Sequence, residues 1–348
     1  MSAGRTSTRG GMPATLNESK TGDVEPGQVQ PSAIRSSWLL TLLKASLSVL
    51  AIGVLAYTAD LSAAWKLLAN QNLWPAAAAA GFIFVQILLG GLRWHVILRR
   101  LEAQASVLDS LRLFYIAAFF NVCLWGAVAG DIVRGWLMYR ADVRTATAIT
   151  SVILDRVVSV AAVALLVLVT APMFTERAGY AFSVSVASVG AAGLAGILIG
   201  AQLHRLPLDW QRNRLLRGVA TLSRATGMIF LQPATTFLAL GVAVTAQVAL
   251  AIATFLLAMS LDIGLSFFDC LVLMQPVVLI TALPISIGGW GAREATMVGL
   301  LGLVGVPASA AFVLSVQVGI LTTLVALPGG VLWLLLKERP QRFGGQDG

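Results

Sequence analysis

The sequence predicts an all-α, polytopic helical membrane protein, and three observations support this fold class. Hydrophobic residues make up 57% of the 348 residues and charged residues only 11%, whereas a soluble domain usually carries about 25% charged residues. The mean hydropathy is +0.84. Several apolar stretches also exceed the ~18–20 residues that a helix needs to cross a hydrocarbon core.

Six stretches are long and apolar enough to be full spans. They are Trp38–Thr58, Trp74–Leu98, Thr147–Pro172, Gly179–Leu203, Pro233–Leu261 and Pro307–Leu336. Two further apolar regions, about 111–142 and 266–305, are interrupted by the charged glycine motifs GDIVR and GGWGARE. Charged, irregular segments cannot face lipid, so we predict that each region is a re-entrant helical hairpin. The prediction is therefore eight helical units, with two full passes per interrupted region as the alternative.

Basic residues set the predicted orientation. The segment 204–230 carries five arginines against one aspartate, and further basic residues flank the first interrupted region and follow the last span. If each interrupted region enters and leaves on one side, all these clusters lie in the cytoplasm, as the positive-inside rule requires. We therefore predict that both termini are cytoplasmic. The segment 204–230 is either an amphipathic helix on the inner leaflet or a plain loop.

The hairpins would enter from opposite faces of the membrane, which is the layout of many transporters built from inverted repeats. The internal sequence similarity is faint, because LWGAVAGD and LPISIGGWGARE share only a leucine, glycines and a following charge. Inverted-repeat ancestry therefore stays an open alternative to two unrelated hairpins.

The ends of the chain differ from its centre in composition. Residues 1–37 are rich in Ser, Thr, Gly and Pro and contain no apolar block, so we predict a disordered cytoplasmic tail without a signal-peptide core. Residues 38–336 form the predicted membrane domain. Residues 337–348 form a second, short cytoplasmic tail.

Several function classes are disfavoured by composition and motifs. The net charge of +8 fits loops that face anionic lipid rather than a nucleic-acid surface. The two cysteines lie in apolar stretches, where small buried hydrophobes are expected rather than a disulfide or metal site. The sequence contains no HExxH, Walker A or GxSxG motif. We therefore expect no enzyme activity, no cofactor and no metal.

Six ionisable residues fall at or near membrane depth, and they balance in charge: Asp131, Arg134, Asp155, Arg156, Arg293 and Glu294. Asp131 and Arg134 are three residues apart and so share a helix face. The pairs Asp155–Arg156 and Arg293–Glu294 are adjacent and point in different directions on a helix. We therefore predict a charge network in which Asp131, Asp155 and Glu294 orient the arginines, with Glu294 bound to Arg134 or Arg156.

The glycines in both motifs allow positive φ or a close backbone approach. Pro284 is expected to end the preceding helix, and a helix that restarts after it would aim free N–H groups into a cavity. The sequence thus predicts a receptor for an anionic group such as phosphate, made of Arg134, Arg156, Arg293, Ser286, Gly288, Gly289 and Gly291, with Gly130 in the first motif. Packing glycines beside structural salt bridges are the alternative.

Three motifs carry a resemblance to a known family. They read FFNVCLWGAVAGDIVRGWLMYR at 119–140, LDRVVSV at 154–160 and LPISIGGWGARE at 283–294. In that order they resemble the lysylphosphatidylglycerol-synthase-type transmembrane domain, a flippase-like integral membrane family, from about Trp38 to Leu336. Relatives usually have proline in place of Trp125 and glycine in place of Ala129.

The resemblance implies translocation of lipid or of a lipid-linked substrate. In full-length relatives a soluble aminoacyl-transferase module follows, but only about a dozen residues follow the last predicted span here. We therefore expect a stand-alone member that does not lysylate lipid.

The leading hypothesis is a flippase-like protein of a bacterial cytoplasmic membrane. Its partners would be an anionic phospholipid or a polyprenyl-phosphate-linked substrate, without nucleic acid, and a homo-oligomer remains open. One alternative is a membrane glycosyltransferase, or its accessory subunit, acting on a polyprenyl-phosphate carrier. Another is a non-transporting scaffold for envelope enzymes.

Overall fold

The structure is a computed structural model that describes residues 61–123, 128–141, 143–175, 179–205, 213–282 and 289–336. Within these ranges every regular element is a helix, which confirms the all-α class. The tail predicted at 1–37, the span predicted at Trp38–Thr58 and the tail at 337–348 lie outside the described residues.

The described helices follow one another with short connections. They are α1 Leu61–Ala69, α2 Leu73–Arg100, α3 Val107–Cys123, α4 Ala129–Arg140, α5 Thr145–Thr170, α6 Tyr180–Gln202, α7 Arg214–Phe230, α8 Pro233–Ser260, α9 Phe267–Ala282, α10 Ala292–Gly302, α11 Ala308–Ala326 and α12 Pro328–Leu336. Short 3₁₀ turns follow α5 and α6.

Within the described part of the chain, five helical stretches are long and apolar enough to cross a membrane: Leu73–Arg100, Thr145–Met173, Ser183–Arg205, Pro233–Ser260 and Ala308–Leu335. They match the second to sixth predicted spans. The last stretch joins α11 to α12, where a new helix begins at Pro328, a position that suits proline because the first helical N–H needs no partner. The short helix α1 was not predicted.

The central pair of helices, α2 and α8, is antiparallel, and each helix has 28 residues. At one end, the Asn72 N–H donates to the Ser260 carbonyl at 2.9 Å, and the Ser260 hydroxyl donates to the Asn72 carbonyl at 2.8 Å. At the other end Ile97 packs in the same apolar cluster as Ala239. Small residues such as Ala239 let membrane helices approach closely.

The chain leaves α2 and α8 in the same way, at a spacing of 160 residues (Glu102 to Asp262). These two residues have φ values of 56° and 55°. Just after them, the N–H groups of Ala103 and Ile263 donate to the carbonyls five residues earlier. This pattern is the Schellman motif, which satisfies carbonyls at a helix end.

The next helix of each half also starts with the same cap. Ser106 accepts a hydrogen bond from the Asp109 N–H at 3.0 Å and donates to the Asp109 carboxylate at 2.6 Å. Ser266 makes the same two bonds with Asp269, at 3.1 and 2.6 Å. Because α2 and α8 are antiparallel, these shared helix ends favour an internal inverted repeat over two unrelated hairpins.

The two interrupted regions each contain a pair of packed helices, α3 with α4 and α9 with α10. These helices have 17, 12, 16 and 11 residues. Helices α4 and α10, which have described residues beyond both ends, are about 16–18 Å long at ~1.5 Å per residue, shorter than a hydrocarbon core of about 30 Å. Their lengths favour re-entrant hairpins over two full passes each.

Part of the arginine-rich segment is helical, as the first of its two interpretations expected. Helix α7 begins after Asn213, whose side chain accepts from the Leu216 N–H at 2.8 Å. It packs beside α6. The Ser223 hydroxyl of α7 accepts a hydrogen bond at 2.9 Å from the N–H of His204, which lies in the 3₁₀ turn after α6. Residues 206–212 lie outside the described residues.

We expect α7 to face the cytoplasm and α1 to face outward, because only that orientation collects the basic clusters on one side. The test is cysteine labelling of Arg217→Cys and Lys66→Cys, both at exposed positions, after replacement of Cys123 and Cys270 by alanine. An impermeant maleimide should label Lys66→Cys in intact cells and Arg217→Cys only in opened membranes. Labelling of Arg217→Cys in intact cells would contradict the orientation.

Candidate functional site

Charged side chains from α2, α4 and α5 form one continuous set of ion pairs. Arg93 Nε and Arg134 Nη1 donate to the two oxygens of Asp155, at 2.8 and 3.1 Å. Arg134 Nη2 also donates to Asp131 Oδ1 at 3.0 Å. Arg156 donates to Asp131 Oδ2 through Nε and Nη2, each at 2.7 Å. These three guanidinium groups and two carboxylates, the five-residue ion network, carry a net charge of +1.

Burial changes along this network. The Arg134 side chain at its centre is 1% exposed, whereas the Arg156 side chain at its end is 41% exposed. Arg134 also lies over Trp94, 4.5 Å from the ring centroid, and over Phe114 at 5.2 Å. Two carboxylates and two aromatic faces thus replace part of the water that a buried guanidinium loses, while the buried Nε atom of Arg134 has no hydrogen-bond partner among the described residues.

Two adjacent residues of α5, Asp155 and Arg156, bind different members of the network. Adjacent helix residues are about 100° apart around the axis. Asp155 therefore points towards Arg93 of α2, while Arg156 points towards Asp131 of α4. Asp131 and Arg134 share one face of α4, as their three-residue spacing predicted.

Gly130 brings the start of α4 against α3. A Cβ atom at this position would overlap the carbonyl oxygen of Ala117. The Gly130 N–H donates to the Asn121 side-chain oxygen at 2.9 Å. The predicted close backbone approach is therefore present, and it places Asp131 next to the interior of the helix bundle.

A cavity of about 250 Å³ adjoins the network. Its polar lining consists of charged groups from the network together with neutral amides and hydroxyls: Gln86, Arg93, Asn121, Asp131, Asp155, Arg156, Ser159, Gln247 and Thr322. The buried Oε1 atom of Gln247 has no hydrogen-bond partner among the described residues. The cavity thus offers two guanidinium groups, each bound to a carboxylate, and unused hydrogen-bonding capacity.

A second charged cluster lies where α10 packs against α11. Glu294 is fully buried, and its Oε1 accepts from Arg293 Nη2 at 2.6 Å. Its other oxygen accepts from the Gly291 N–H. The Arg293 guanidinium lies over Trp290, 4.5 Å from the ring centroid, and Ser315 Oγ is 3.4 Å from Arg293 Nε. These contacts define the Arg293–Glu294 cluster.

Glycines make this cluster possible. Gly289 and Gly291 have φ values of 82° and 84°, as predicted for the turn before α10. A Cβ atom on Gly319 of α11 would overlap the Arg293 guanidinium. The absence of a side chain at Gly319 therefore leaves the space into which Arg293 folds.

The prediction that Glu294 pairs with Arg134 or Arg156 is wrong. Its arginine partner is the adjacent residue, Arg293. Although neighbouring side chains leave a helix in different directions, the long Arg293 side chain bends back over Gly319 to reach the carboxylate. The other site residues predicted in this motif, Ser286 and Gly288, lie outside the described residues with Pro284, as does Trp125 of the first motif.

The two charged clusters occupy related places in the repeat. The helices α4 and α5 begin 163 residues before α10 and α11 respectively. This spacing relates Asp131 to Glu294 and Arg156 to Gly319. Each half therefore has an acidic residue in the first turn of its second hairpin helix. In the first half, Asp131 is bound by Arg156 of the following helix as well as by Arg134 of its own helix. In the second half, Glu294 is bound by Arg293 of its own helix.

The sequence interpretation missed Arg93 and Gln247. Arg93 lies seven residues before the end of α2, within a predicted span, and an arginine inside a span is by itself a signal of function or pairing. Gln247 had a weaker signal, because glutamine in a membrane helix often bonds only to its own backbone.

The fold and this site define a polytopic helical membrane protein whose interior holds a cavity lined by charged and neutral polar side chains. The family described as the lysylphosphatidylglycerol synthase TM region matches residues 41–330, and the chain belongs to this family. It is thus a multi-pass membrane protein related to lipid handling. No curated protein matches the chain.

We expect Glu294 to be energetically coupled to Arg293 and not to Arg134. Removal of one partner from a buried ion pair costs about 3–5 kcal/mol because the other charge is stranded. In detergent unfolding experiments, Glu294→Gln with Arg293→Gln should cost much less than the sum of the single changes. Glu294→Gln with Arg134→Gln should be additive, and strong coupling in that second cycle would contradict the observed pairing.

We expect Gly319→Ala to lower the melting temperature, because the added methyl group displaces the Arg293 guanidinium. The double change Gly319→Ala with Arg293→Ala should cost less than the sum of the two single changes, since the added methyl group then has no guanidinium to displace. Gly299→Ala on α10 is the matched control, because a Cβ there has no neighbour within 4 Å. Equal melting temperatures for Gly319→Ala and wild type would show that the overlap has no consequence.

Proposed function

We propose that this protein moves a lipid with a phosphate-bearing headgroup between the leaflets of a bacterial cytoplasmic membrane, without catalysing a covalent reaction. The observation that carries the proposal is the cavity beside the five-residue ion network. Charge at membrane depth is costly and is retained where it serves a polar pathway. Two arginines and several neutral hydrogen-bonding groups line this cavity, and the adjoining five-residue ion network as a whole carries a net charge of +1, which suits an anionic headgroup.

Within the cavity, Arg156 has the geometry to bind the headgroup. It lines the cavity and is the most exposed member of the network. Its planar guanidinium can hold a phosphate through two parallel hydrogen bonds. A phosphate can replace the Asp131 carboxylate as a partner of Arg156, so binding exchanges one anion for another instead of stranding a charge.

The two other arginines of the network have different positions. Arg93 lines the cavity beside Asp155, so it can act as a second contact for the headgroup. Arg134 does not line the cavity and is held by Asp131 and Asp155. We assign Arg134 a positioning role, because it fixes the two carboxylates against which Arg93 and Arg156 are oriented.

Arg293 is a further proposed contact for the headgroup, at a site outside the cavity. Ser315, Gly319 and Thr322 lie on one face of α11, because they are four and three residues apart. The first two contact the Arg293–Glu294 cluster, and Thr322 lines the cavity. A headgroup that leaves the cavity along this face would therefore reach Arg293 within about one helix turn, roughly 5 Å.

We expect Arg156→Gln to slow lipid exchange roughly tenfold or more, because a hydrogen bond to a charged group contributes about 1.5–3 kcal/mol. Arg156→Lys should keep part of the rate, since lysine supplies the charge without the paired donors. The measurement is leaflet exchange of fluorescent phosphatidylglycerol in liposomes that contain purified protein. Arg217→Gln on α7 is the control for a lost exposed arginine.

Each variant in this experiment must melt at the wild-type temperature, so that misfolding is separated from loss of function. Wild-type exchange in a well-folded Arg156→Gln protein would remove Arg156 from the lipid path. Absence of exchange in the wild-type protein itself, for every lipid offered, would favour the scaffold hypothesis over translocation.

A further inference from the structure

Helices α4 and α5 leave an apolar groove between them, the α4–α5 groove, with a volume of about 520 Å³. Its walls include Ile132, Trp136, Ile149 and Val152, with Gly135 at its floor. Ile132 and Ile149 are largely exposed. A volume of this size falls in the range of about 300–1,000 Å³ that is usual for ligand pockets.

One carboxylate connects this groove to the cavity. Asp131 lines the α4–α5 groove and also lines the cavity beside the five-residue ion network. Its Oδ2 atom is bound by Arg156, which lines the cavity. The Asp131–Arg156 ion pair therefore stands between an apolar compartment and a polar one.

A second cation lies near the other end of the groove. Arg140 is the last residue of α4, and its guanidinium lies 5.0 Å from the ring centroid of Trp136, a groove residue. Neither arginine lines the groove itself, but Arg140 contacts one of its wall residues and Arg156 binds the Asp131 carboxylate that lines it. A neutral apolar ligand would have no use for this arrangement.

The length of the groove indicates the kind of chain that fits. It extends along α4 from Val128 to Tyr139, which is about 16 Å at a helical rise of 1.5 Å per residue. This is about half of a hydrocarbon core of roughly 30 Å, the depth that the acyl chains of one leaflet fill. A polyprenyl chain is much longer than this groove.

We infer that the α4–α5 groove holds an acyl chain of an anionic phospholipid while the phosphate of that lipid occupies the cavity. The groove is then the lateral entrance from the leaflet, and the Asp131–Arg156 pair separates its two compartments. This inference rests on the proposed function for the headgroup, and it adds the position of the hydrocarbon chain and the class of lipid.

The test uses phosphatidylglycerol with a diazirine near the end of one acyl chain, in liposomes that contain the full-length protein. Cross-linked peptides are identified by mass spectrometry. We expect preferential labelling of the groove residues of α4 and α5, competed by unlabelled phosphatidylglycerol and not by phosphatidylcholine. The exposed face of α6 provides the reference for ordinary surrounding lipid.

A filled groove should lose this labelling. A Cβ atom on Gly135 has only Val152 Cγ2 nearby, at 4.0 Å, so Gly135→Leu places its side chain in the groove without displacing packed neighbours. We expect it to reduce groove labelling about tenfold and to slow lipid exchange. Gly196→Leu on α6, where a Cβ has no neighbour within 4 Å, should change neither.

The results separate this inference from the proposed function. Groove labelling equal to that of α6 and insensitive to competitors would overturn the inference, and so would competition by polyprenyl phosphate but not by phosphatidylglycerol. If exchange persists in either case, the proposed function stands alone. Selective groove labelling in a protein that exchanges no lipid would support the acyl-chain site and overturn translocation.

Discussion

The burial of Arg134 is the constraint on which the rest of the interior depends. Its guanidinium is almost completely removed from solvent and is bound by Asp131 of its own helix and Asp155 of α5. Loss of either carboxylate would leave a stranded charge, which is one of the costliest defects in a protein interior. The hairpin of α3 and α4 is therefore held against α5, and through Arg93 against α2. The cavity lies beside these ion-paired helices and is closed on its other side by residues of α8, α9 and α11.

The second half of the protein has the same order of helices, but its ion pair is formed differently. Its acidic residue, Glu294, occupies the position of Asp131, but its arginine comes from the neighbouring position in sequence. The ion pair in that half is consequently local, whereas the network in the first half joins three helices. Ion pairs thus hold the helices of the first half together, while the second half depends more on the apolar cluster that includes residues of α9, α10 and α11.

The sequence predicted those parts of the structure that depend on local properties. Span positions follow from the length of apolar runs, and the Asp131–Arg134 pair follows from helical periodicity. The Glu294 partner could not be predicted, because it depends on empty space at Gly319, more than twenty residues along the chain. The internal repeat left only a faint signal in the amino-acid sequence, for a different reason. Its similarity lies in capping residues such as Ser106 and Ser266, while the apolar positions between them tolerate many hydrophobic side chains.

The repeat has a consequence for how alike the two membrane leaflets are to this protein. A frame with perfect two-fold symmetry would present the same free-energy profile to a lipid arriving from either leaflet, so it would have no preferred resting state. Here Ala253 stands where the first half has Arg93, and Gly319 stands where it has Arg156. These substitutions break the symmetry at the charged positions. The two halves are therefore electrostatically unequal, and the two sides of the frame are not interchangeable.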